Sequence, residues 1–300
     1  MRKAFTFRLY PNRAQEQKML WTLTRCRELY NAALSERKDA YKYAGKSISY
    51  YEQKRDLPAI KQDIRPEYHA IHSQVLQNVL ERLDKAMQAF FRRVKYGEKP
   101  GYPRFQGRTR YNSFTYPQGG HTLSEKHVTL SKIGKIRVKL HRAIEGKMKT
   151  ATVKYENGQW YVIFSCECVE TEPLPVSYED VGMDLGVTHF AALSDGTFIE
   201  QPRHYRRAEK KLAKVQQALA RKKRGSHRRH KAARQATKVH RKIRNQRKDF
   251  LHKASRTVVN RYQVMVFEDL QIGNVTKAPK PKQDETTGHY LPNGASAKAG

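Results

Sequence analysis

The chain has 300 residues, enough for one large domain or two to three smaller ones, and 38% of them are apolar, enough for modest cores. Its 60 Lys and Arg against 28 Asp and Glu give a net charge of +32. A compact chain so charged repels itself, so a polyanionic partner, nucleic acid, is expected; ribosomal proteins share this balance, so charge alone does not argue for an enzyme.

Residues 3–10 alternate polar and apolar side chains and predict a half-buried strand, stopped at Pro11. Asn12 then caps an amphipathic helix carrying Leu20, Leu23, Cys26, Leu29, Tyr30 and Leu34 at three- and four-residue spacing. Gly45 and Ser47–Ser49 break it. A short helix follows from Tyr50 to about Ile60, ended near Pro58, and a long one spans about Ser73 to Lys95. Arg92, Arg93 and Lys95 in its last turn suit the helix dipole. Residues 11–96 thus predict a helical domain.

Residues 96–105 contain two prolines and two glycines and exclude regular structure. Two readings stand for this basic, aromatic stretch: a loop that packs on nucleic acid through Tyr102, Arg104 and Phe105, or an ordinary linker. Short strands are predicted at 113–116, 127–130, 135–140, 151–155 and 160–166, with Asn157-Gly158 as a hairpin turn. Their spacing suggests a small barrel, completed by residues 3–10. Cys166 and Cys168 should face the same way as apolar filler. With Cys26 they make three cysteines, too few for a disulfide framework and suited to a reducing compartment.

Residues 172–175 read as a linker. Strands are then expected at 181–186, 189–194 and 197–200, with Asp195-Gly196 at a hairpin turn. Residues 203–260 predict two antiparallel helices broken at Gly225-Ser226, carrying about twenty Lys and Arg against two acids. Leu212, Val215, Leu219, Val239, Ile243, Phe250, Leu251 and Val258 form the apolar stripe. His227, His230 and His240 read as auxiliary polar groups. A last strand is expected at 263–268, and residues 276–300 read as a disordered tail. Met1-Arg2-Lys3 does not open a signal peptide, and no stretch is long enough to span a bilayer.

Two short apolar runs end in carboxylates: Val181-Gly-Met-Asp184 and Val264-Met-Val-Phe-Glu268. Such runs predict buried strands, where a carboxylate is costly unless paired or metal-bound. Delivered to one point, Asp184 and Glu268 would suit a hard cation such as Mg²⁺; the plainer reading is a pair of strand-end caps. Asp269 should point the opposite way from Glu268. An acidic metal site flanked by basic helices is the pattern of a nuclease, and strand–hairpin–helix–strand is the order of the RNase H-like fold.

These residues resemble the TnpB (OrfB) family of insertion-sequence accessory transposases, relatives of type V CRISPR effectors. The resemblance rests on Lys3–Asn12, Tyr30-Asn31, Gly101-Tyr-Pro-Arg-Phe105, Val181–Gly186 with His189-Phe190, Arg221–Ser226, Asn245–Lys253 and Phe267-Glu-Asp-Leu270. It implies an α+β multidomain protein: a wedge-like β-barrel (1–10 plus 97–172), an inserted helical recognition domain (11–96) and a RuvC-like nuclease domain (176–275). It further implies a guide RNA from the transposon end, a double-stranded DNA target read beside a short motif, Mg²⁺-dependent cleavage with Asp184 and Glu268 as catalytic and metal-binding residues, and a prokaryotic cytoplasmic, nucleoid-associated location with no membrane partner. Arg221, Lys222, Lys223, Arg224, Arg228, Arg229, Arg247 and Lys248 are the expected nucleic-acid contacts in the basic helices.

One departure is large. After Glu268 the family continues with a CxxC…CxxC zinc element and a third catalytic Asp, and this sequence matches neither; Asp284 fits no family motif. The expectation is a C-terminally shortened copy with an incomplete nuclease domain, the 263–268 strand and its neighbours left partly uncovered, and weak or absent cutting. Three functions therefore stand: a guided nuclease, a guided binder or repressor that does not cut, and a generic basic RNA-binding protein.

Overall fold

A computed structural model describes residues 1–269 apart from 168, 170–173, 178 and 187. It separates into two units, Met1–Glu172 and Pro173–Gly300. The architecture is α+β with two sheets. Cys168, residues 172 and 173 of the linker and the tail at 276–300 lie outside the described residues.

In the first unit, β1 (Lys3–Tyr10) alternates as expected, with Phe5, Phe7 and Leu9 buried. The helix α1 (Arg13–Ala44) starts in a capping box: Asn12 Oδ1 accepts from Gln15 N–H, and Gln15 Oε1 accepts from Asn12 N–H. It ends at Gly45, whose φ of 62° few other residues adopt at no cost. The helix α2 (Tyr50–Ala59) is boxed in the same way by Ser49 and Glu52. It runs past Pro58 into a π-helical turn, Ile60–Ile64, and a 3₁₀ turn, Pro66–Ala70, precedes α3 (Ser73–Lys95). Neither turn was legible beforehand. Arg37, almost fully buried, ties three helices together: it donates to Gln53 Oε1 (2.8 Å) and Asp84 Oδ1 (3.0 Å), while Gln53 donates to the Ala33 carbonyl.

Six more strands follow: β2 (Ser113–Tyr116), β3 (His121–Leu123), β4 (His127–Leu130), β5 (Gly134–Lys139), β6 (Lys147–Glu156) and β7 (Gln159–Glu167). Strand β3 was not foreseen, being three residues long with no alternation to mark it. The sheet order is β2-β6-β7-β1-β5-β4-β3, with β1 central and antiparallel to β7 and β5. A chain's first strand in mid-sheet needs the later strands to close around it. The sheet curls: His121 on edge strand β3 lies 6.4 Å, ring to ring, from Tyr116 of the other edge strand and from Phe164 of β7. Helices and sheet share one core, which includes Met19, Leu76, Leu80, Val128, Val162 and Phe164. Cys26 and Cys166 are buried in it, which pushes the Cys26 thiol up to about 12.

The second unit opens with β8 (Asp180–Asp184), β9 (Ala191–Leu193) and β10 (Phe198–Ile199), then α4 (His204–Ala220), α5 (His227–Arg261) and β11 (Val264–Phe267). The sheet order is β10-β9-β8-β11, with β11 parallel to β8. Its core is small: Val181, Met183, Ala191 and Leu193 beneath Val258 and Tyr262. Phe250 of α5 meets Phe190 edge-on at 5.2 Å.

The run 264–267 has the composition of a buried strand, whereas a shortened domain predicts that it lies partly uncovered; Val264, Val266 and Phe267 are 49%, 63% and 54% exposed. The reason is position: among the described residues β11 ends the sheet, bonded to β8 alone, and only Met265 reaches the helix-covered face. Leu251, assigned to the apolar stripe, is 46% exposed, whereas Leu212, Ile243 and Val258 are buried as expected.

Candidate functional site

The parallel register of β8 and β11 pairs Val266 with Gly182 and Phe267 with Met183, so the next step along both strands brings Asp184 beside Glu268. Val181 and Met183 point into the core, so alternation puts Asp184 on the opposite face, with Gly182. Both carboxylates line one shallow cleft of about 500 Å³, with Ser194 and Phe267. Ser194 fixes the neighbouring backbone: its Oγ accepts from Gly182 N–H (3.0 Å) and its own N–H donates to the Gly182 carbonyl (2.9 Å).

Asp184 and Glu268 are both exposed. The expectation that burial makes them costly is therefore wrong; at the open end of an edge pair they remain in water. What brings them together is strand register. Among the described residues, no group of three or more His, Cys, Asp and Glu could hold a metal ion. Two neighbouring carboxylates suffice for one Mg²⁺, which keeps several waters and needs only one or two protein carboxylates plus phosphate oxygens. They fall short of a full two-ion set.

A second acidic group went unrecognised as more than a turn residue. Asp195, in the β9–β10 hairpin, accepts from Tyr262 Oη and from the Thr197 hydroxyl and N–H, and Arg261 Nη2 lies 3.1 Å away. The Tyr262 bond first, then Thr197, hold its carboxyl down to about 2 from the ordinary 3.8. It locks the hairpin to the end of α5, one step before the strand that carries Glu268. Because the folded value is depressed, this stabilisation is complete above the ordinary value and fades as pH falls from about 4 towards 2. Tyr262→Phe is expected to raise the Asp195 pKa towards 3.8 and to move acid unfolding of this unit to higher pH. A carboxyl-carbon NMR titration reads this directly; an unmoved Asp195 would refute the link.

In the basic helices, Arg221, Lys222, Lys223 and Arg224 occupy the turn between α4 and α5, and Arg228, Arg247 and Lys248 lie on α5; all are exposed. Arg229 is different. Its Nη1 donates to the Leu219 and Lys222 carbonyls, both at 2.9 Å, closing the end of α4, while Ser226 Oγ accepts from Arg229 N–H to start α5. In the first unit, Tyr102, Arg104 and Phe105 are exposed on their loop. No helix among the described residues is long and apolar enough to cross a membrane.

The chain matches the OrfB_IS605 family, described as "Probable transposase", over residues 163–278. Residues 1–46 match a "Helix-turn-helix domain" of OrfB_IS605 proteins, where the structure has one strand and one long helix. It is 33% identical over 278 residues to "Putative RNA-guided DNA endonuclease InsQ" of Escherichia coli (strain K12), spanning 92% of this chain and 68% of the relative. It is also 33% identical over 286 residues to "Putative RNA-guided DNA endonuclease" of Streptomyces pristinaespiralis, spanning 93% and 70%. A solved "Cas12f1-sgRNA-target DNA complex" aligns over 90% of this chain and 74% of that one, at 14% identity and TM-score 0.36, which supports no residue correspondence. On 33% identity to these two relatives, across 92% and 93% of this chain and 68% and 70% of theirs, the chain belongs to the TnpB (OrfB) family of IS605-type transposase proteins.

Proposed function

We propose that the chain is an RNA-guided DNA-binding protein of the TnpB type, using a guide RNA from the transposon end and a double-stranded DNA target. The curled sheet of residues 1–10 and 97–172 serves as its wedge-like barrel, residues 11–96 as its recognition helices, and residues 176–275 as a RuvC-like nuclease domain. The observation that carries the nuclease part is the register that puts Asp184 and Glu268 side by side on one open face. These two side chains would hold Mg²⁺, which when bound polarises a phosphate oxygen and activates water. Arg221–Arg224 and the exposed cations of α5 would neutralise backbone phosphates.

With two carboxylates gathered among the described residues, the chain should bind better than it cuts. A guided binder that does not cleave, acting as a repressor, is the second reading, favoured by the absence of a third acidic ligand among the described residues. The test is a mobility-shift assay on a target duplex with cognate or scrambled guide RNA. Retention with the cognate guide alone is expected, unchanged by Asp184→Ala. Equal retention with both guides would reduce the chain to a generic basic RNA-binding protein.

A further inference from the structure

We propose that the end of α3 and the loop after it form a stacking platform for unpaired nucleotides, held in shape by Asn31. This rests only on the nucleic-acid-binding half of the proposed function. Phe91, Tyr96 and Phe105 are 57%, 69% and 50% exposed, within twenty residues of one another. Rings left in water across one short stretch are unusual unless they meet a partner. Residues 91–110 also hold seven Lys and Arg against a single acid, Glu98, whose ion pair is with Arg93 at 4.0 Å. An apolar protein partner would have to bury that charge; a polyanion would be drawn by it.

The platform has a foundation. Phe90 meets Phe91 and Tyr102 edge-on, both at 5.2 Å, which joins the helix end to the loop. The Arg93 guanidinium lies 3.9 Å from where a Cβ on Gly101 would stand, so helix and loop run side by side. The loop's far end is clasped by Asn31 of α1. Its Oδ1 accepts from Gln106 N–H (2.7 Å) and its Nδ2 donates to the Gln106 carbonyl (3.1 Å), as a neighbouring strand would. Tyr30, the adjacent residue, packs on Tyr111. Asn31 is thus a positioning residue: it fixes the backbone immediately after Arg104 and Phe105.

Exposed rings among cations suit single strands over duplexes. A duplex hides its base faces in its own stack, whereas an unpaired base offers a face to each ring while arginines and lysines follow the phosphates. The experiment uses the full chain without guide or metal, so its failure is separable from failure of guided targeting. Fluorescence anisotropy is measured with labelled oligouridine, labelled oligothymidine and a duplex of equal length. Combined Phe91→Ala, Tyr96→Ala and Phe105→Ala should weaken single-strand binding about ten-fold or more and duplex binding by less than about two-fold. Loss on oligouridine alone assigns the site to RNA; loss on both strands assigns it to unpaired nucleic acid of either sugar. Equal loss on the duplex, or no loss, overturns the proposal. As all three rings are exposed, thermal melting should be unchanged. A Phe105→Trp reporter should be quenched by the single strand and not by the duplex, and adding Asn31→Ala should abolish that quenching; quenching that survives would remove Asn31 from the assignment.

Discussion

Given cognate guide RNA, Mg²⁺ and a supercoiled target plasmid, the 300-residue chain is expected to cut about a hundred-fold or more slowly than the Escherichia coli relative assayed alongside it. Two carboxylates on adjacent strands can share one ion, but in-line displacement with two ions needs anionic ligands for both the attacking and the leaving oxygen. Loss of a single preorganised electrostatic stabiliser typically costs about 10²–10³ in rate. An ion held by two exposed side chains is also held loosely, because Mg²⁺ demands near-octahedral geometry. Asp184→Ala or Glu268→Ala should remove whatever cutting remains and leave target retention in place. Cleavage matching the relative's, and dependent on Asp184, would show that the site needs no ligand beyond these two.

Replacing Arg221, Lys222, Lys223 and Arg224 together by Ala should weaken nucleic-acid binding about equally for all sequences, because phosphate contacts position without specifying. All four are exposed in the turn between α4 and α5. If each releases one condensed counterion on duplex DNA, the slope of log affinity against log salt should flatten by about 3–4. The parent chain, at +32, should lose affinity steeply as salt rises. A salt series on both proteins measures this. A flat parent response, or a loss confined to one sequence, would refute a phosphate-dominated interface. Arg229 stays out of the set because its Nη1 is committed to the Leu219 and Lys222 carbonyls; removing it would disturb the turn itself.

Much of this protein can be read along the chain. The alternation of residues 3–10, the Asn12 cap, the apolar spacing of α3 from Val75 to Leu83 and the Gly225-Ser226 break each act over a few residues, where backbone geometry and side-chain period decide. The same spacing puts Phe91 and Val94 on the buried face of α3, yet they are 57% and 52% exposed. The charge, and the pair Asp184 and Glu268 at the ends of apolar runs, are likewise local facts. Strand β3 and the turns at 60–64 and 66–70 escaped because they are short and without period.

Other features were decided only by tertiary structure. That β1 sits mid-sheet, that Asn31 clasps Gln106 across 75 residues, and that Tyr262 fixes Asp195 across 67 all depend on contacts with no sequence period. The same holds for burial. Val264-Met-Val-Phe267 has the composition of a buried strand, but composition cannot say whether a strand has one neighbour or two. Placed last in its sheet among the described residues, it leaves Val266 and Phe267 in water and Asp184 and Glu268 solvated. The sequence alone determined which two carboxylates end the apolar runs; strand order and register determined that Asp184 and Glu268 line one cleft, because only pairing across the sheet brings together residues 84 positions apart.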